Sequence, residues 1–307
     1  MNALSKIRGD VKVSFELFPP KSRDVEPKVW AEIKRLEQLN PDFMSVTYGA
    51  GGSTQDRTLG LLRRISTRTD IRAAGHLTCV GKSREEVDAV AHAYREAGVN
   101  RIVALRGDPP GDSTQYCPHP DGYSGAIELV EGLMKIGDFD ISVAAYPEGH
   151  PDSLNRQADL DNLKRKMDAG ASQAITQFFF ETDDYFRFVD DARAAGISAP
   201  IVPGILPVTN FTTVSKFAAM CGAHIPNWLA RMFEGLEEDP NTRKLIAATV
   251  AAEQCMKLRS QGVNEFHFYT LNNADLTFAI CHMMGIRRKD VPARRHKHSS
   301  PGEAASA

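Results

Sequence analysis

The chain of 307 residues lacks most of the features that announce a function outright. Its five cysteines (Cys79, Cys117, Cys221, Cys255 and Cys281) are scattered, odd in number and without a CxxC pair. That pattern argues against a disulfide framework or a zinc knuckle, and reduced thiols of a cytoplasmic protein are its simplest reading. No apolar run approaches membrane-spanning length, and no signal-type apolar region stands near the N-terminus. A formal net charge of −2 offers no pull towards nucleic acid or a membrane surface. There is no Walker loop, no Gly-x-Ser-x-Gly elbow and no GxGxxG fingerprint. His76 and Cys79 would need two further ligands to hold zinc, and read as the packing of one strand, so no metal site is expected.

What is present is alternation. Hydrophobic content of 42% and charged content of 25% suit a soluble globular protein. Apolar, β-rich runs occur at 11–18, 43–47, 73–79, 101–105, 141–146, 174–179, 201–206 and 265–269. Helical patterns follow them, among them one opened by the capping box Ser83-Arg84-Glu85-Glu86 and one at 155–169. Strict strand–helix alternation predicts a parallel sheet, and eight units predict a closed (β/α)8 TIM barrel of the α/β class. A single catalytic domain is expected over 1–286. The basic stretch from Arg287 onward, 287–307, is expected to be a disordered tail.

In such a barrel the active site lies at the C-terminal rim of the strands. The predicted rim collects Glu16, Thr47-Tyr48, His76, Arg106-Gly107-Asp108, Tyr146, His150, Gln177 and Tyr269-Thr270-Leu271-Asn272. Glu16 stands out because it interrupts the run Val11–Pro20, between Phe15 and Leu17. Two readings are open: a structural, ion-paired carboxylate, or a carboxylic acid with a raised pKa held to donate a proton. On the predicted helix 155–169, Asp159, Asn162 and Lys166 share one face with Arg165 beside them. That face is either solvated and salt-bridged or a cradle for pyrophosphate and ribose.

The ordered stretches Ser14–Pro20, Ser45–Ala50, His76–Cys79, Ala104–Asp108, Val143–Glu148, Leu163–Lys166 with Asp168–Gly170, Ile175–Phe180, Pro203–Pro207 and Phe266–Asn272 together resemble the methylenetetrahydrofolate reductase family. The likeness runs over about residues 11 to 285 and implies a flavin barrel of one-carbon metabolism that serves methionine synthesis. It implies FAD as cofactor, and NADH or NADPH and 5,10-methylenetetrahydrofolate as alternating substrates. It also implies a cytoplasmic homo-oligomer without the large regulatory domain of eukaryotic members.

By the same resemblance, Glu16 is the general acid that protonates N10 of the folate as its methylene bridge opens. Tyr48, Ala50, His76, Arg106, Gly107, Tyr146, His150, Asp159, Asn162, Arg165 and Lys166 match FAD-holding positions. Tyr123-Ser124 resembles a further flavin contact. Asp108 matches a residue close to both the flavin and the pterin, and so is expected to be catalytic as well as cofactor-binding. Thr47 and Gln177 match nicotinamide-side contacts, Gln177 also serving folate, and Phe217 matches an aromatic on which either substrate stacks. Asn273 stands where the family pattern leads us to expect Arg facing the folate tail, and Thr213 where an amide is expected. These departures keep open a divergent flavin barrel oxidoreductase, or a folate- or flavin-binding protein with altered tail recognition. A flavin-free barrel enzyme is the remaining rival.

Overall fold

The computed structural model describes residues 11–49, 54–109 and 116–287. All its strands are parallel and form one sheet. The elements are β1 (Lys12–Leu17), α1 (Glu26–Glu37), β2 (Met44–Val46), α2 (Gln55–Arg68), β3 (Ala73–Thr78), α3 (Arg84–Glu96), β4 (Arg101–Leu105), α4 (Ala126–Ile136), β5 (Asp140–Ala145) and α5 (Arg156–Asp168). They continue with β6 (Gln173–Thr176), α6 (Thr182–Ala194), β7 (Ile201–Val202), β8 (Gly204–Ile205), α7 (Phe211–Cys221), α8 (Asn227–Phe233), α9 (Pro240–Ser260), β9 (Glu265–Tyr269) and α10 (Ala274–Met283).

The expected TIM barrel is what forms. The strand order is β7-β6-β5-β4-β3-β2-β1-β9-β8. β7 and β8 are the two halves of the run expected at 201–206, parted by Pro203. Proline has no N–H to give to a ladder. β7 therefore pairs only with β6 and β8 only with β9, and one residue joins the two ends of the sheet. The Pro203 carbonyl still accepts from the His267 N–H at 3.0 Å. The capping box of α3 is as expected: Ser83 Oγ accepts from Glu86 N–H and the Glu86 carboxylate accepts from Ser83 N–H. The helix α8 was not expected; two turns behind Pro226 are too short to show a period. The expected disordered stretch lies outside the described residues beyond Arg287.

Strand period sets what faces where. In β1, Val13, Phe15 and Leu17 are buried towards the helices, while Ser14 and Glu16 point into the barrel, where Ser14 meets His267. Phe43, Ala74, Val103 and Ile175 form a small apolar cluster apart from the main core. Arg101 lies below it, buried, with its guanidinium 4.1 Å from the Phe43 ring. It pairs with Asp140 at 3.0 Å and Asp42 at 3.4 Å. The N-terminal end of the barrel is thus closed by charge and aromatic carbon, and the open end is the C-terminal rim.

Helix α3 sits against β3 because Gly75 has no side chain. A Cβ there would lie 2.3 Å from the Tyr94 ring, which is fully buried and donates its hydroxyl to the His76 carbonyl at 2.9 Å. Gly75→Ala should therefore cost about 1–3 kcal/mol of stability through overpacking alone, read as a lower urea midpoint. An unchanged midpoint would show that Tyr94 can yield.

Candidate active site

The rim is built upward from β1. Glu16 projects into the barrel mouth with its side chain 15% exposed, and two imidazoles face it. His76 Nε2 from β3 lies 3.4 Å from Glu16 Oε2, and His267 Nε2 from β9 lies 4.0 Å from the same oxygen. The other nitrogen of His267 is 2.7 Å from Ser14 Oγ, one inward step below Glu16 on β1. With the serine hydroxyl as donor there, Nε2 carries the ring proton and aims it at the carboxylate. His267 is held flat on Phe43, with ring centroids 5.6 Å apart, and edge-on to Tyr269.

This arrangement overturns the raised pKa expected of Glu16 in the open site. Phe15 and Leu17 lie on the opposite face of the strand and do not enclose the carboxyl. Burial does push the Glu16 carboxyl up, but the neighbouring His267 and His76 outweigh it and hold it below the ordinary carboxylate value. His76, pushed down by its own burial, is biased towards the neutral ring. His267 was missed as a site residue. Its signal was faint: one histidine alternating with Phe266 and Phe268 in a strand whose outward residues are apolar.

The remaining rim residues gather as the strand order requires. Thr47, beyond β2, is half-buried and bonds through its backbone to Leu17 and Thr58. Gln177 continues the inward face of β6, its carboxamide oxygen taking the Phe178 N–H at 2.9 Å. Arg106, after β4, lies over the Tyr116 ring and pairs with Asp152 at 2.8 Å. Gly107 has φ 86° and no room for a Cβ, which would sit 2.5 Å from Val80. Asp108 is exposed at the mouth. Tyr146 and His150 pack edge to face at 4.5 Å after β5. Burial raises the Tyr146 hydroxyl, and the charge of Asp108 adds to the effect.

Helix α5 turns the face in question inward. Asp159 and Lys166 are buried; Asp159 accepts from the His150 N–H and the Ser153 hydroxyl, and Lys166 Nζ donates to the Ala144 carbonyl at 2.6 Å. Burial lowers the Lys166 ammonium to about 8, against the opposing pull of Asp159. The alternative of a solvated face therefore fails for these two, while Asn162 and Arg165 are exposed. Phe217 is 36% exposed on α7. Asn273 stands at the N-cap position of α10 with no side-chain capping bond, and Ala50 lies outside the described residues.

Three expected contacts sit apart from the mouth as side chains. The Tyr48 ring is buried in the outer core, its hydroxyl on Gln55. Tyr123 is wedged between α3 and α4, donating to Asp88 at 2.7 Å, and Ser124 leads into α4 with its N–H on Glu128. A Cβ on Gly132 would strike the Tyr123 hydroxyl, so this packing is tight. At Tyr48 and Tyr123 only the backbone is left to meet a ligand.

The family model for methylenetetrahydrofolate reductase matches residues 2–285. The chain belongs to the methylenetetrahydrofolate reductase family. It is 50% identical over 285 residues to 5,10-methylenetetrahydrofolate reductase of Pectobacterium carotovorum, covering 93% of this chain and 94% of that protein. To the enzyme of the same name from Escherichia coli it is 49% identical over 286 residues, with the same coverage. Among solved structures, an uncharacterised protein from Clostridium thermocellum that binds two copies of 5-methyl-5,6,7,8-tetrahydrofolic acid superposes with a TM-score of 0.57. At 15% identity, over 92% of this chain and 99% of that one, the likeness is one of fold. No group of three or more metal-ligating side chains occurs among the described residues of this family member, and no helix there is long and apolar enough to cross a membrane.

The buried acid and imidazole give the protein a pH signature. His76 is held below its ordinary 6.5, so the unfolded chain takes up that proton first as pH falls. Glu16 is held below its ordinary 4.5, and the same sign applies lower down. Both make the unfolded state bind more protons, so stability falls on acidification, first below about pH 6.5 and again below about pH 4.5. Urea midpoints taken from pH 7 to pH 4 should show this fall, and His76→Gln should flatten its upper part. A wild-type midpoint that rises as pH drops from 7 to 5 would contradict it.

Proposed function

We propose that this barrel reduces 5,10-methylenetetrahydrofolate to 5-methyltetrahydrofolate with NADH or NADPH as the electron source and FAD as resident cofactor, the two substrates using the mouth in turn. The observation that carries this reading is Glu16 at the rim of a methylenetetrahydrofolate reductase barrel, inward-facing and set against two imidazoles.

The side chains present suit a flavin dinucleotide. Arg106, Lys166 and His150 offer cationic or donor groups for a diphosphate after β4 and β5. Gly107 brings backbone close. Thr78 Oγ1 is buried at the mouth without a hydrogen bond, and a buried polar atom of this kind calls for a partner. Asp159, Asn162 and Arg165 extend the cradle along α5 towards the ribose. Bound flavin supplies a two-electron carrier that accepts hydride from a nicotinamide and passes it to carbon.

Everything else falls to the chain. Glu16 gives a proton to N10 of the folate, the bond from N10 to the bridging carbon breaks, and the resulting 5-iminium carbon takes the hydride. A ligand seated over the mouth removes the last water from Glu16 and so strengthens the burial effect that favours its protonated form. Asp108 would set a negative charge beside the flavin and the pterin, where it would make the bound flavin a better hydride donor. Gln177 and Thr47 orient the nicotinamide or pterin edge, Phe217 stacks on either substrate, and Asn273 meets the folate tail with an uncharged side chain. The scattered reduced cysteines support a cytoplasmic setting. The exposed Met220, Trp228 and Met232 on α7 and α8 support a homo-oligomer.

Purified protein should be yellow and should bleach when NADH is added without oxygen. A protein that stays colourless with added FAD would favour the flavin-free rival. Glu16→Gln should keep flavin reduction by NADH and lose about 100-fold or more of folate reduction; equal loss in both half-reactions would remove its acid role. Asp108→Asn should slow folate reduction with FAD retained, and unchanged turnover would defeat its assigned part.

A further inference from the structure

The segment after β9 is shaped to hold the far end of β1. Leu271 and Asn272 are both left-handed, with φ 48° and 54°, and neither is glycine. Such backbone is unfavourable for a residue with a Cβ and persists where surroundings demand it. What it achieves here is the placement of one carboxamide. Asn272 Oδ1 accepts the Phe18 N–H at 2.9 Å, and Asn272 Nδ2 donates to the Phe18 carbonyl at 3.0 Å. The regular pairing of β1 with β9 ends at Glu16 and Tyr269, and Pro19-Pro20 cannot extend it. The carboxamide of Asn272 therefore replaces the missing rung two residues beyond Glu16.

A second side chain completes the hold. Thr270 Oγ1 donates to the carbonyl of Glu16 itself at 2.6 Å and accepts the Asn272 N–H at 3.1 Å. From the other side, Arg57 Nη1 donates to the Lys21 carbonyl at 2.5 Å. Aspartate at position 272 could accept from Phe18 but would set a carboxylate oxygen against its carbonyl. Glycine would relax the backbone and offer nothing. Asparagine combines tolerance of left-handed backbone with one donor and one acceptor on a short stem.

We propose that Asn272 is a positioning residue for proton delivery: its carboxamide pins the backbone at Phe18 and so fixes the direction in which Glu16 presents its carboxyl at the mouth. This rests on the acid role given to Glu16, and the experiment separates the two.

Asn272→Gly and Asn272→Asp are compared with wild type in the FAD-loaded full chain. In Asn272→Gly, amide exchange at Phe18 should quicken about tenfold or more, because its acceptor is gone. The urea midpoint should hold or rise, because glycine suits the backbone. Folate reduction should drop about 10- to 100-fold in kcat, with flavin reduction by NADH unchanged. Asn272→Asp keeps the acceptor and should show slower Phe18 exchange than glycine, with a smaller loss in kcat. Unchanged Phe18 exchange in Asn272→Gly would overturn the clamp. Faster exchange with unchanged folate turnover would overturn the positioning role, and so would equal loss in both half-reactions with a lowered midpoint. Glu16→Gln reports separately on the acid. If it left folate reduction intact, the reading of Glu16 would fall, while exchange at Phe18 would still decide whether Asn272 holds β1.

Discussion

The structure turns on a carboxyl facing two imidazoles inside a closed barrel. Glu16 can occupy that place only because β1 alternates strictly, sending Val13, Phe15 and Leu17 to the helices and Ser14 and Glu16 inward. The partners arrive from strands on either side, His76 from β3 and His267 from β9. An acid in this setting is not simply hidden from water. Burial and the imidazoles pull its proton affinity in opposite directions, and the imidazoles prevail while the mouth is open to solvent. Whatever covers the mouth acts on that balance, which makes protonation of Glu16 responsive to ligand rather than a fixed property of the chain.

Beneath this pair the barrel separates chemistry from support. Phe43, Ala74, Val103 and Ile175 lie between the polar rim and the Arg101 ion pairs. Arg101 thus satisfies Asp42 and Asp140 without lending its charge to Glu16. The mouth keeps a mixed lining of acid, imidazole, hydroxyl and carboxamide, and its cations stand further round, at Arg106 and Lys166.

Much of this was legible before any coordinates. Alternation of strand and helix gave the barrel, because each βα unit has a length and a period that sequence displays. Rim residues followed from the rule that loops after strands carry the site. The structure brings Glu16, His76, Arg106, Asp108, Tyr146 and Gln177 to one end as that rule requires. What was not legible depended on direction rather than location. The neighbours of Glu16 in sequence are not its surroundings, because a strand puts adjacent residues on opposite faces. Tyr48 and Tyr123 stood near the rim in the chain but point their rings into the outer shell. Lys166 looked like one charge among several on a helix face, and only the packing of α5 on β5 shows its ammonium buried on Ala144. His267 became visible only through a partner more than 250 residues away, and Asn272, expected at the rim, shows its hold on Phe18 only in the fold.

The break at Pro203 has a mechanical meaning for the ring as a whole. β7 and β8 contribute two residues each, whereas β1 and β3 run for six. The ladder is therefore thin at the seam, and Thr176 spans it twice: its hydroxyl accepts the Gly204 N–H at 2.9 Å and its carbonyl accepts the Tyr269 hydroxyl at 2.7 Å. The ring is welded there by side chains as well as by strand pairing.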